Sequence, residues 1–229
     1  MQWWDLVDKI VFINLDYRKD RLESIQSFFQ EAGIPAEKIV RVSGIHDSPG
    51  IVGAARSHIA VMKMIRDNGW DNTLILEDDV EWLNYSNETI LEHIHKPFDV
   101  LMLGGYYEML EENRAIRAFH ASSYIIKKYY VPKLLDNFET GLDKLLSTTF
   151  TLFPELEKHR IKNDHKNHVD AYWCNLQQKD NWRCIVPPMV IQKESYSDIQ
   201  EKIVKGDNYV LSPKLQLSEY PNKLKGIVW

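Results

Sequence analysis

Residues 9–42 read KIVFINLDYRKDRLESIQSFFQEAGIPAEKIVRV, and their pattern decides the fold. The run Lys9 to Leu15 is short, apolar and rich in β-branched residues, the mark of a buried strand. Downstream, Leu22, Ile25, Phe28, Phe29 and Ala32 recur at helical spacing, and Gly33 with Pro35 supplies the stop. Lys38 to Val42 returns to a strand pattern. A strand, a helix and a second strand in close succession predict a parallel α/β sheet.

The rest of the chain extends that plan. After a loop over 43–53, a helix is expected from Ala54 to Asn68, with Ala55, Ile59, Met62 and Ile65 on one face and Asn68-Gly69 closing it. NTLIL (72–76) is the third strand, a helix follows near Thr89 to His95, and FDVLMLGG (98–105) is a fourth strand. Its glycine pair, Gly104-Gly105, suits a tight turn or a close backbone approach to a ligand. Residues 115–128 alternate in part and hold another strand, and residues 130–149 read as a helix in two pieces broken near Gly141, with Pro132 in its first turn. The stretch from Val169 predicts a short helix capped by Asp170, and RCIVPP (183–188) a strand stopped by prolines. Periodicity fades from Glu194. The expected organisation is one domain over 1–200, with 201–229 as a C-terminal segment wrapping the same domain.

Composition bounds the function. The 229 residues are 44% apolar and 27% charged, an ordinary balance for a chain with a sizeable core. A net charge of -5 argues against an extended nucleic-acid footprint. No apolar run approaches the roughly 20 residues of a spanning helix. Asp5 and Asp8 stand where a signal peptide would be basic and then apolar, so a cytoplasmic protein is the default expectation. The acceptor patterns at Asn84 and Asn87 carry no weight without secretion. Cys174 and Cys184 are two thiols in a long chain and read as reduced.

The third strand runs into three adjacent acids, Glu77, Asp78 and Asp79. Neighbouring carboxylates repel and resist burial, so they need either solvent or a cation. If extended geometry persists, Glu77 and Asp79 point one way and Asp78 the other. Two carboxylates at the carboxyl end of a strand suit Mg²⁺ or Mn²⁺, with substrate phosphates filling the remaining positions. Arg18 and Arg21, just after the first strand, offer guanidinium forks for a diphosphate. No Walker lysine pattern, dinucleotide fingerprint or GxSxG motif is present. The His159, His165, His168 and Asp170 cluster matches no standard zinc spacing.

Several separated blocks together resemble family 25 glycosyltransferases, the group of lipooligosaccharide and collagen galactosyltransferases. VFINLDYRKDR is similar to that family's N-terminal signature, GIVGAARSHIAVMKMI to its glycine and serine-histidine segment, and LILEDDV to its acidic motif. HASSYIIKKYYVPKLL, HVDAYW and PPMVIQKESYSDI resemble its later blocks, so the likeness runs in order from about Val11 to Ile199. Ala54 departs from it, standing where the pattern has cysteine, and the GGYYEM region shows no clear family feature.

The resemblance implies a GT-A-like α/β fold, a mixed and mostly parallel sheet flanked by helices. It also implies a UDP-hexose donor, often with Mn²⁺ or Mg²⁺, and transfer with inversion to a glycan or protein acceptor hydroxyl. By position, Asn14, Leu15, Arg18 and Arg21 would lie near the donor. Gly53, Ser57 and His58 would shape its pocket, Glu77 and Asp79 would hold the metal, and Asp78 would meet the ribose or Arg18. Asp170 is the candidate general base, and Tyr124, Tyr172 and Trp173 would stack on sugars or serve the core. Two other readings use the same residues: a metal-dependent phosphoesterase, and a silent nucleotide-sugar-binding module. Galactose is the first donor expected and glucose the second, and the lack of a leader suits a bacterial or viral source.

Overall fold

The computed structural model describes residues 1–83, 85–109, 111–147, 161, 163–199 and 202–204. Strands β1 (Lys9–Asn14), β2 (Ile39–Ser43), β3 (Asn72–Glu77), β5 (Val100–Met102), β8 (Ser123–Lys127) and β9 (Trp182–Cys184) form a six-stranded sheet in the order β2-β1-β3-β8-β5-β9. The β1–β2, β1–β3 and β5–β9 pairings are parallel; β8 runs antiparallel to both neighbours. This is the mixed, mostly parallel sheet in one domain that the opening strand–helix–strand pattern predicts.

Strand alternation sorts the core into two layers. Val11, Ile75, Val100, Met102, Tyr124 and Ile126 face one side, where α2 (Gly50–Asn68) and α4 (Val131–Leu146) pack. Ile10, Phe12, Leu74, Leu76, Leu101 and Ile125 face the other, against α1 (Lys19–Glu31), α3 (Asn87–Ile94) and the N-terminal turn of Trp3 and Trp4. Most of these side chains are fully buried, each worth about 1.5–3 kcal/mol of apolar transfer.

Several local expectations are corrected. Helix α2 begins at Gly50, not Ala54, because the glycines of its first turn let it pack closely: a Cβ at Gly50 would stand 2.8 Å from the Asp198 carbonyl. Helix α4 is continuous through Gly141, whose missing side chain makes room for the Tyr172 ring, so packing rather than a break explains that glycine. The glycine pair serves both a turn and a close approach: Gly105 takes φ 144°, and Gly104 admits the backbone of Val190. Residues 115–128 hold two strands, β7 (Ala115–Phe119) and β8. The first of them forms a hairpin with β6 (Tyr106–Met109).

Short pieces complete the described chain. Strand β4 (Val80–Trp82) follows the acid triplet and pairs with β10 (Val190–Gln192). Helices α5 (Val169–Tyr172) and α6 (Cys174–Gln177) pack near β7, and β11 (Ser195–Ser197) pairs with β12 (Lys202–Val204). Cys174 and Cys184 are free, buried thiols. No helix of the described residues is long and apolar enough to cross a membrane. Asn84, His159, residue 201 and residues 205–229 lie outside the described residues, and with them the expected wrapping segment.

Candidate donor and metal site

The carboxyl ends of β1 and β3 lie side by side, with Ile13 in register with Glu77. A cavity of about 120 Å³ opens there, walled by the acid triplet on one side and by Leu15, Ile45 and Ala54 on another. Of the residues expected at the donor or metal site, Leu15, Arg21, Ser57, His58, Glu77, Asp78 and Asp79 all line it.

Alternation holds for the first two acids and then fails. Glu77 continues the Ile75 face and meets α2: its Oε1 lies 3.3 Å from His58 Nε2. Asp78 continues the opposite face. Its Oδ2 accepts from Asn14 Nδ2 at 2.6 Å and its Oδ1 from Arg21 Nη1 at 2.9 Å. The chain turns at Asp78 and Asp79 before β4, so Asp79 swings back and places Oδ2 3.1 Å from the same Arg21 Nη1. Extended geometry therefore does not carry through the triplet. Asp78 and Asp79 share one guanidinium, while Glu77 is held by His58 and by Gln192, whose Nε2 donates to Oε2 at 3.2 Å.

The electrostatics follow from this division. Burial pushes the Glu77 carboxyl up, but the hydrogen bond from His58, with His120 and Arg21 behind it, brings it below its usual range. Burial raises Asp78 against the opposing pull of Arg21 and Asn14. Asp79 is raised to about 7 by burial and by the charge of Glu77, which Arg21 only partly offsets. Its Oδ1 is buried and has no hydrogen-bond partner among the described residues. An orphaned, reluctant carboxylate beside a second one is a donor set short of a cation. No cluster of three or more His, Cys, Asp or Glu side chains among the described residues is placed to hold a metal alone. A pair of carboxylates whose remaining positions go to phosphates fits Mn²⁺ or Mg²⁺.

The other expected residues serve the walls. A Cβ at Gly53 would collide with the Ile45 carbonyl oxygen, so the glycine lets α2 approach the loop that carries Ile45. Ser57 Oγ braces the same loop, accepting from Ile45 N and donating to the Gly53 carbonyl, both at 2.8 Å. Asn14 is buried and also accepts from Arg41 Nε at 2.9 Å, so it supports Asp78 from behind. Arg18 does not line the cavity. Its fork takes Asp20, and its Nη1 reaches Asp198 Oδ2 at 2.8 Å and the Tyr196 carbonyl at 3.0 Å.

Sequence reasoning missed three participants. Gln192 and Asp198 lie in the PPMVIQKESYSDI block, from which no site residue was drawn. Tyr17 donates to Asp198 Oδ1 at 2.7 Å, so residues 196–198 are pinned beside the cavity by Tyr17, Arg18 and Arg21. Tyr124 is fully buried with its hydroxyl 3.2 Å from His58 Nδ1, and Trp173 is equally buried, so both belong to the core rather than to a sugar platform. Tyr172 hydroxyl instead meets Lys144 Nζ at 2.6 Å.

Asp170 stands apart from the cavity. It lies inside the first turn of α5, whose cap position is His168, and its Oδ2 accepts from the backbone N–H of His120 at 3.3 Å. The rings of His165 and His168 are 5.1 Å apart, and His168 Nε2 faces the Ile161 carbonyl, leaving no zinc set among the described residues.

A scan of protein-family models and a search of curated proteins return no match. Solved structures give distant likenesses. A protein from STIV aligns with TM-score 0.48 and 13% identity over 90% of this chain and 98% of that one. A Drosophila β-1,4-galactosyltransferase 7 mutant, in complex with manganese, UDP-Gal and xylobiose, aligns with TM-score 0.44 and 8% identity over 92% and 82%. A glycosyltransferase involved in glycosylation of the major capsid of PBCV-1 gives TM-score 0.41 and 7% identity over 85% and 90%. These likenesses concern the course of the chain, not its chemistry.

Proposed function

We propose that the protein is a metal-assisted, inverting hexosyltransferase that takes a hexose, galactose first and glucose second, from a UDP-sugar to an acceptor hydroxyl of a glycan or hydroxylysine. The observation that carries the reading is Asp79. Its half-buried carboxylate, with one buried, unpartnered oxygen and a raised pKa, faces a cavity at the carboxyl end of β3 shared with Glu77 and Arg21. The ordered motif blocks of the sequence support the choice of donor.

A divalent cation held by Glu77 and Asp79 would neutralise the charge that builds on the departing diphosphate. The chain's own contributions are specific. Arg21 is anchored on Asp78 and Asp79 and on the Tyr196 carbonyl at 2.8 Å, so its cationic head is fixed beside the phosphates' place. Leu15, Ile45 and Ala54 offer an apolar wall for the flat base. Arg18 acts indirectly, holding residues 196–198 against the pocket. Asp170 is the proposed general base. In an inverting displacement it would act on the face of the sugar opposite the departing diphosphate, its carboxylate held by the His120 amide at 3.3 Å.

Donor consumption decides between this and its rivals. The protein is incubated with UDP- and GDP-sugars with and without Mn²⁺. Metal-dependent loss of a UDP-hexose that disappears in Asp79→Ala supports the transferase. Phosphate release from plain nucleotides marks a phosphoesterase, and UDP binding without turnover a silent module. Asp170→Asn lowers turnover and leaves UDP affinity unchanged; an unaltered rate removes it as the base.

A further inference from the structure

The buried side of Glu77 forms a chain of contacts that donor binding does not explain. Tyr124, the second residue of β8, is fully buried, its ring edge-on to Trp173 at 5.5 Å between centroids. Its hydroxyl lies 3.2 Å from His58 Nδ1, and His58, only 1% exposed, presents Nε2 to Glu77 Oε1 at 3.3 Å. Gln192 of β10 holds the other oxygen. Glu77 is thus fixed from three elements distant in sequence, and each of its oxygens keeps a lone pair for the cavity.

From this geometry we infer that Tyr124 and His58 form a positioning relay: Tyr124 O–H donates to His58 Nδ1, which fixes the Nε2–H tautomer, and that N–H aims Glu77 at the cation. The inference rests on the metal-assisted reading of the site. Chemistry favours this order of donors. A carboxylate can only accept, so His58 must donate from Nε2. With the ring proton on Nε2, Nδ1 is the acceptor and the phenol beside it the donor. Ligand carboxylates oriented from behind in this way bind metal about 10–100-fold better than unsupported ones. The relay also accounts for a histidine buried, with Ser57, in a helix whose remaining inward side chains are apolar.

The test uses Tyr124→Phe, which removes one hydroxyl and keeps the ring packing, together with His58→Ala and the double variant. UDP binding is measured by calorimetry with Mn²⁺ and with EDTA. The relay predicts that Mn²⁺-dependent UDP affinity falls about tenfold or more in His58→Ala and severalfold in Tyr124→Phe. The double variant should be no weaker than His58→Ala, and the UDP affinity of Tyr124→Phe in EDTA should stay unchanged. Equal losses with and without metal would mean a merely structural role and would overturn the relay, as would no loss at all. A second readout needs no metal. Nitrogen-15 spectra of the metal-free wild type should show His58 as the Nε2–H tautomer, and an Nδ1–H tautomer overturns the relay. Failure of wild-type UDP binding to respond to Mn²⁺, with the Nε2–H tautomer present, would sink the metal reading while leaving the hydrogen-bond chain intact.

Discussion

Replacing Asp79 with Asn should make the metal-free protein more stable above neutral pH. The folded protein raises this carboxyl from an ordinary 3.8 to about 7, through burial and the charge of Glu77. A shift of about 3 units corresponds to a ceiling of about 4 kcal/mol at 1.36 kcal/mol per unit. The folded carboxyl holds its proton more tightly than the unfolded one. Wild-type stability therefore falls as pH rises from about 4 to about 7 and levels off beyond, a loss the amide escapes. Arg21 keeps Asp78 and the Tyr196 carbonyl as partners in the variant. Urea unfolding in EDTA should show a small gap near pH 4 that widens to as much as about 4 kcal/mol at pH 8. Adding Mn²⁺ and UDP should reverse the order, because only the wild type gains binding energy. A variant less stable at pH 8, or a gap independent of pH, would refute the reasoning.

Other outcomes follow from the same geometry. Arg21→Met strips Asp78 and Asp79 of their shared cation and should cost about 3 kcal/mol or more at pH 7.5 in urea unfolding, with the loss shrinking in acid; a cost below about 1 kcal/mol would contradict it. Gly53→Ala forces α2 away from the Ile45 carbonyl. It should cost about 1–3 kcal/mol and weaken UDP binding together, read by unfolding and calorimetry. Arg18→Gln breaks the fork to Asp20 and Asp198, so limited proteolysis near 196–198 should quicken and donor KM should rise more than kcat falls.

The part of the fold legible in the sequence is the part built from local repetition. Lys9 to Val42 shows strand, helix and strand because each buries a face with its own period, and NTLIL followed by three acids marks where a strand leaves the core. The structure draws Leu15, Arg21, Ser57, His58 and the acid triplet to one cavity. Four kinds of feature stayed hidden. The turn at Asp78 and Asp79 breaks the strand alternation, so the turn and not the strand's period brings Asp79 beside Glu77. Gly141 looks like a helix break because its reason, the Tyr172 ring, arrives from a distant element. The short strands β4, β6 and β10 are stabilised by their partners rather than by pattern. Glu77 and Gln192 are 115 positions apart, and no local rule joins them.

The central claim is that Glu77 and Asp79 hold a cation that carries a nucleotide's diphosphate. Crystals soaked with Mn²⁺ and UDP test it most directly, because manganese scatters anomalously. The account predicts one strong anomalous peak within coordination distance of both Asp79 Oδ1 and the Glu77 carboxylate, with UDP phosphates beside it. Manganese and UDP bound at a place remote from residues 77–79 would contradict it.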